Sequence, residues 1–312
     1  MLKVALCYSG AVRGLIRNLP QIKKVFFHED IFDIDYYFYG DPSGASIRED
    51  DIEKGLKDPQ GLRIKNELPQ FNCLFENERG PEFNKMLLKF KSLIFKYNHP
   101  IEQQVLQWHG VKRVFEFAFS HDKQYDLYFR IRPDIFPAGQ VKFDWHAFDE
   151  NTVYAPFMGN FGGLNDRFAF GSKKAMEVYS KFYDTDIYYR GPSEEVSEKS
   201  KKYFEKIYQN VPVDKMHPNI SDKLKRDKWR EEHKSAYKYG ISGCNSEFRL
   251  FNHIISNDVD IKLINPEFAH IGAVRNDDGF IRYYGPEFEG LLIKYNQIKP
   301  EEIKYDGGIW WD

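Results

Sequence analysis

Lys3-Val4-Ala5-Leu6-Cys7-Tyr8 runs directly into Ser9-Gly10-Ala11-Val12-Arg13-Gly14, and an apolar and basic stretch of helical spacing follows through Ile22. An apolar run closed by a Gly-containing turn predicts a buried strand, and the periodic stretch after it predicts a helix. Strand, turn and helix in that order open an α/β unit. In an open sheet such a turn lies at the carboxyl edge of its strand, where backbone N–H groups and a helix N-terminus face a crevice suited to anions. The turn carries neither GxGxxG nor GxxxxGK[ST], so it is neither a dinucleotide fingerprint nor a Walker loop.

The alternation continues downstream. Ile34 to Tyr39 reads as a second strand, ended by Gly40-Asp41-Pro42-Ser43-Gly44. Apolar residues recurring at three and four from Glu82 to Phe119 predict two helices broken at His99-Pro100. Tyr125 to Arg132 is a third strand, closed by Pro133-Asp134, and Thr152 to Pro156 and Arg167 to Phe170 are shorter ones. A helix is expected from Lys173 to Phe182, another from Ser246 to Ser256, and a strand from Ile261 to Ile264. Strands alternating with helices imply an α/β fold with a mainly parallel, doubly wound sheet flanked by helices. Residues 190–238 differ: 13 Lys or Arg and 9 Asp or Glu with few aliphatics read as a charged, solvated helical insertion.

Composition narrows the function. With 312 residues, 45 Lys plus Arg against 47 Asp plus Glu and a net charge of −2, the chain has no field to attract nucleic acid or an anionic membrane. Cys7, Cys73 and Cys244 are scattered, so neither a disulfide framework nor a zinc site is expected. There is no apolar run of membrane-spanning length and no signal-peptide pattern, and the expected compartment is the cytoplasm. Aromatic residues make up 17% of the chain, either to fill a core or to stack on sugars. His109, His121, His146, His217, His233 and His253 have no carboxylate or second histidine at ligand spacing. No Gly-x-Ser-x-Gly elbow suggests a hydrolase.

Chemistry concentrates in Asp126-Leu-Tyr-Phe-Arg130-Ile-Arg132-Pro133-Asp134. In a strand Arg130 and Arg132 share a face, so two guanidinium groups would emerge together before a turn that presents a carboxylate. Such a set suits a diphosphate with its ribose or a divalent ion, and it also suits a plain salt-bridge network.

Gly10 to Arg13 after the first strand, Tyr125-Asp126 with Arg130 to Asp134, Asn165 to Ser172, and Ser246-Glu247 heading a late helix resemble, in this order, a loose group of nucleotide-sugar glycosyltransferases with a GT-A-like fold. The group occurs in bacterial surface-polysaccharide clusters and in large algal viruses. The similarity covers about residues 1–180 and 240–275. It implies a single domain over 1–312, with a nucleotide-sugar-binding half (1–140) and an acceptor half (141–312) that holds the insertion at about 190–238. It further implies a UDP- or GDP-sugar donor, a glycan acceptor, and a place in surface-polysaccharide or viral capsid glycan synthesis. The Asp-x-Asp metal motif usual in such enzymes has no clean counterpart: Arg132-Pro133-Asp134 stands at the expected strand end, while Asp33-Ile34-Asp35 and Asp184-Thr185-Asp186 sit in turn or capping positions. Mn²⁺ or Mg²⁺ would then bind through Asp134 with His270.

In such a reaction charge develops on the diphosphate leaving group and must be met by cations or N–H donors. Arg13, Arg132 and Arg275 are candidates, beside Ser9, Gly10, Arg130 and Asp134 as donor-binding residues. An inverting enzyme also needs a carboxylate to take the acceptor proton. Asp166, in a polar loop after Gly162-Gly163, and Glu247, heading a helix, compete for that role. Each also has a plainer reading, as an Asx-turn and as a helix-dipole partner. The rival to a transferase is a non-catalytic glycan-binding or virion-associated module that uses its aromatics to stack sugars.

Overall fold

A computed structural model describes residues 1–10, 15–27, 30–40, 64, 66–76, 81, 83–85, 87–88, 101–133, 135–137, 143–156, 163–209, 246–264, 271–273, 281–283 and 303–305. The opening run forms β1 (Leu2–Ser9), followed by α1 (Leu15–Phe26) and β2 (Phe32–Gly40). Then come β3 (Phe71–Phe75), α2 (Ile101–Phe119), β4 (Leu127–Ile131) and the short β5 (Ile135–Pro137). β6 (Thr152–Pro156), β7 (Phe168–Gly171) and α3 (Lys173–Ser180) follow, the last running into a 3₁₀ turn at Lys181–Asp184. The chain continues with α4 (Asp186–Arg190), α5 (Glu194–Gln209), α6 (Ser246–Ser256) and β8 (Asp260–Ile264). Three short strands lie beyond: β9 (Ile271–Ala273), paired with β5, and β10 (Ile281–Tyr283) with β11 (Ile303–Tyr305).

Seven strands form one sheet in the order β3-β2-β1-β4-β7-β6-β8. β1 runs parallel to both β2 and β4, β2 parallel to β3, and β6 parallel to β8; β7 alone is antiparallel to its neighbours β4 and β6. Strand residues alternate between two buried faces. Val4, Leu6, Tyr8, Phe38, Phe129 and Phe170 pack with α1, while Ala5, Cys7, Tyr37, Tyr128 and Ala169 pack with α2, α3 and α6. The sheet is therefore doubly wound, as the alternation of elements predicts.

Aromatics fill this core. Tyr154 stacks on Phe170 at 4.9 Å between ring centres, Phe170 on Phe129 at 5.0 Å, and Phe26 on Phe168 at 4.8 Å. On the other face Trp108 of α2 lies edge-on to Phe182 at 4.7 Å and beside Tyr179 at 5.6 Å. No described Phe, Tyr or Trp side chain is exposed.

Two expectations need correction. β4 stops at Ile131, so Arg132 lies past the strand and does not share a strand face with Arg130. The charged segment is not wholly solvated where it is described: α5 buries Phe204 and Ser200, Phe204 meets Phe251 of α6, and Tyr203 Oη accepts from the Ile261 N–H at 2.9 Å. One aromatic ridge is enough to seat an otherwise charged helix. Residues 210–238 of the segment lie outside the described residues. Among the described residues no helix is long and apolar enough to cross a membrane.

Trp108 is completely buried and pins α2 to the 3₁₀ turn after α3. Trp108→Ala is expected to cost about 3–5 kcal/mol, the usual toll of a large aromatic truncation, read as a lower urea midpoint at an unchanged slope.

Candidate functional site

The chain leaves β1 toward β2 on one side, and later crosses over through α2 to place β4 on the other side. A topological switch point thus falls between β1 and β4, and a crevice opens at their carboxyl ends, the usual ligand position in open α/β sheets. The ends of those strands supply Ser9 and Gly10 on one side and Arg130 to Arg132 on the other.

Gly10 takes φ +118°, a conformation that L side chains rarely adopt, and its N–H donates to the Tyr39 carbonyl at 3.2 Å. Nothing lies within 4 Å of a Cβ built there, so glycine is required by the backbone and not by crowding. Ser9 is buried, and its Oγ accepts from Arg130 Nη1 at 3.0 Å; a second bond from Nη1 reaches the Ile131 carbonyl at 3.1 Å. At 1% exposure Arg130 is a strut between the ends of β1 and β4 and not an open phosphate fork. Gly110 of α2 allows this close layer, since a Cβ there would meet Ser9 Cβ at 3.2 Å.

Because β7 is antiparallel, the loop that leads into it arrives at this same edge. The Arg132 N–H donates to the Arg167 carbonyl at 2.9 Å, which stitches the exit of β4 to that loop. Asn165 shapes the loop, its Oδ1 accepting from the N–H groups of Arg167 at 2.8 Å and Phe168 at 3.1 Å. The Asx role weighed for Asp166 therefore belongs to Asn165. The Asp166 carboxylate instead accepts from Gln107 Nε2 of α2 at 2.5 Å.

The loop also docks on α6. The Leu164 N–H donates to the Glu247 carbonyl at 3.0 Å, and a Cβ on Gly163 would stand 2.1 Å from the Glu247 carbonyl carbon and 2.3 Å from the Phe248 nitrogen. This approach brings the two carboxyls that the sequence sets in competition within each other's field. Asp166 is 5% exposed, whereas Glu247 is only half-buried. Loss of water around Glu247, and then the Asp166 charge beside it, push the Glu247 carboxyl up to about 8; Arg167 and a hydrogen bond from Ser246 Oγ at 3.1 Å oppose the shift. Tyr179 of α3 lies within the field of Arg130, Asp166 and Glu247; burial keeps its phenol a neutral donor, and it makes no hydrogen bond among the described residues.

Of the residues expected at the site, Ser9, Gly10, Arg130, Arg132, Asp166 and Glu247 are described, and the switch-point edge gathers them. Arg13, Asp134, Arg275 and His270 lie outside the described residues. Gln107 and Tyr179 were not expected, for nothing in the spacing of a buried helix marks one polar side chain as facing a distant loop. Among the described residues no group of three or more His, Cys, Asp or Glu is arranged to hold a metal.

The chain matches no protein-family model and no curated protein by sequence. Solved structures match it in outline. Mouse xyloside xylosyltransferase 1, apo form, is 10% identical over 59% of this chain and 71% of its own, with a TM-score of 0.31. A mannosyltransferase from Pyrobaculum calidifontis in complex with GDP-Man and Mn²⁺ is 8% identical over 81% and 86%, with a TM-score of 0.31. The galactosyltransferase LgtC with donor and acceptor sugar analogues is 9% identical over 96% and 98%, with a TM-score of 0.32.

Two outcomes follow from the docked loop. Gly163→Ala forces backbone apart and is expected to destabilise the fold by roughly 1–3 kcal/mol in chemical denaturation, as overpacking does. Glu247 binds its proton more tightly in the folded chain than in the unfolded one, where its value is about 4.5. Its contribution is present in full below that value and is lost as pH rises through about 8. Glu247→Gln should therefore gain melting temperature on the wild type between pH 5.5 and 8.5, and a constant difference across that range would contradict the assignment.

Proposed function

We propose that the chain is a glycosyltransferase that moves a sugar from a UDP- or GDP-linked donor to a hydroxyl of a glycan acceptor. One observation carries the reading: Asp166 and Glu247, each on the loop or helix start docked at the carboxyl edge of the β1/β4 switch point, lie within each other's field, and the same edge holds the positive-φ turn at Gly10. The ordered motifs that resemble nucleotide-sugar glycosyltransferases support it. The donor then lies against residues of the 1–140 half, and the acceptor against the 141–312 half. Synthesis of a surface polysaccharide or a viral capsid glycan is the setting that the resemblance supplies.

The acceptor oxygen forms its bond to the anomeric carbon as the bond from that carbon to the diphosphate oxygen breaks, and the electron pair leaves with the diphosphate. Glu247, whose carboxyl is raised toward neutral pH, takes the acceptor proton. Asp166 behind it is a fixed charge that raises the basicity of Glu247 toward the working pH, where general bases act best. Arg13, Arg132 and Arg275 meet the charge on the departing diphosphate. A bound divalent ion would supply further charge neutralisation there. Its expected ligands are Asp134 and His270. The aromatic residues weigh against a non-catalytic sugar-stacking module, because those described are spent on the core.

UDP or GDP should raise the melting temperature by selective binding to the folded chain, whereas free sugars alone should not. Glu247→Gln should keep that stabilisation and lower transfer by about 10²–10⁴-fold. In the wild type kcat/KM should climb with pH and level off above about 8 as Glu247 ionises. A chain stabilised only by sugars would point to the binding module.

A further inference from the structure

Two arginines meet where β4 and β7 part. Ile131 is paired with Phe168, and one residue further out the Arg132 N–H donates to the Arg167 carbonyl at 2.9 Å. This last rung is half-made: the Arg167 N–H turns to Asn165 Oδ1 at 2.8 Å, and the Arg132 carbonyl accepts from the Ile135 N–H at 3.3 Å. Residues opposed across an antiparallel rung stand about 5.5 Å apart at Cα and carry their side chains on one face. Arg132 and Arg167 therefore root two guanidinium groups side by side at the carboxyl edge of the switch point. Like charges opposed in this way repel, and an anion held between them turns the repulsion into attraction. Arg130, which the strand pattern offered as the second arm of the fork, is held by Ser9 and the Ile131 carbonyl. We propose that Arg167 takes that place, and that with Arg132 it clamps the diphosphate of the donor.

The surroundings leave the Arg167 side chain available for this. Asp166 precedes it in the chain, but Asp166 Oδ2 accepts from Gln107 Nε2 at 2.5 Å. Glu247 lies within the field of Arg167 and accepts from Ser246 Oγ at 3.1 Å. Among the described residues the Arg167 guanidinium makes no hydrogen bond or ion pair with either carboxyl. The loop needs only the carbonyl and the N–H of Arg167 for its shape, so the side chain has no part in building it. Arg132 and Arg167 are both half-buried, reached by water on one side and set in the protein on the other. A planar guanidinium in such a place matches two phosphate oxygens at once, which an ammonium does not. The identity of the anion rests on the reading of the chain as a glycosyltransferase; the opposed arginines as an anion site do not.

Titration calorimetry of the full chain with UDP, GDP and inorganic pyrophosphate tests the inference. Arg167→Gln is expected to weaken the nucleoside diphosphate that binds by at least about tenfold, and pyrophosphate in the same proportion. Arg167→Lys, which keeps the charge without the fork, should recover part of the loss, a rescue that a merely structural role would not show. The melting temperature without ligand should stay at the wild-type value, since the rung is made by backbone; the lysine variant serves if the glutamine variant does not fold. Wild-type affinity for the diphosphates in a folded variant overturns the proposal. So does a loss confined to the nucleotide with pyrophosphate unaffected, which would set Arg167 against the base or ribose, and so does a change confined to the pH profile of transfer, which would assign it to the carboxyls. If pyrophosphate binds through Arg167 while neither UDP nor GDP binds, the transferase reading falls and the anion site stands. If a nucleotide binds and is indifferent to Arg167, the clamp falls and the transferase reading stands.

Discussion

The approach of Gly163 to the first turn of α6 is the contact on which the site depends. With no side chain at that position, the loop before β7 lies flat on the Glu247 and Phe248 backbone and bonds to it through Leu164. Asp166, three residues on, is thereby set against Glu247, and Gln107 meets it from α2. The Arg132 to Arg167 backbone bond then ties the same loop to the exit of β4. Four parts of the chain that are distant in sequence converge because one residue has only a hydrogen where the others have carbon.

Much of the scaffold is legible in the order of residues. The run from Lys3 to Tyr8 is a buried strand because both faces of a central parallel strand are covered, which removes the need for alternation. α2 begins at Ile101, directly after the His99-Pro100 break read from the sequence. α3 begins at Lys173, where the sequence places a helix, and Ser172 caps it by accepting from the Ala175 N–H. A loop after paired glycines and the start of a late helix also mark Asp166 and Glu247 as carboxyls to compare.

What the sequence withholds is tertiary. Periodicity gave Arg130 and Arg132 a common face, but strand length is set by pairing: β4 ends where β7 begins, with Ile131 opposite Phe168. Arg130 looked like an anion ligand and is instead held by Ser9 and a backbone carbonyl. The charges of α5 hid the single face on which Phe204 meets Phe251. Gln107 carries no local mark at all, because its partner is brought to it by a loop 59 residues away. Likewise His109, without a carboxylate at any regular spacing, sits 3.8 Å from Glu76 at the end of β3, ringed by Tyr39, Phe83 and Tyr183.

The reversal of β7 also bears on how the chain finds its fold. Parallel neighbours in this sheet must be joined by long crossovers, and each pairing waits on the closure of a large loop. β6 and β7, running in opposite directions, are joined by the short segment between Pro156 and Phe168. Their pairing closes at the smallest entropic cost in the sheet and has the least dependence on distant partners. The loop that bears Asp166 thus belongs to the most local β-pairing of the seven-stranded sheet among the described residues.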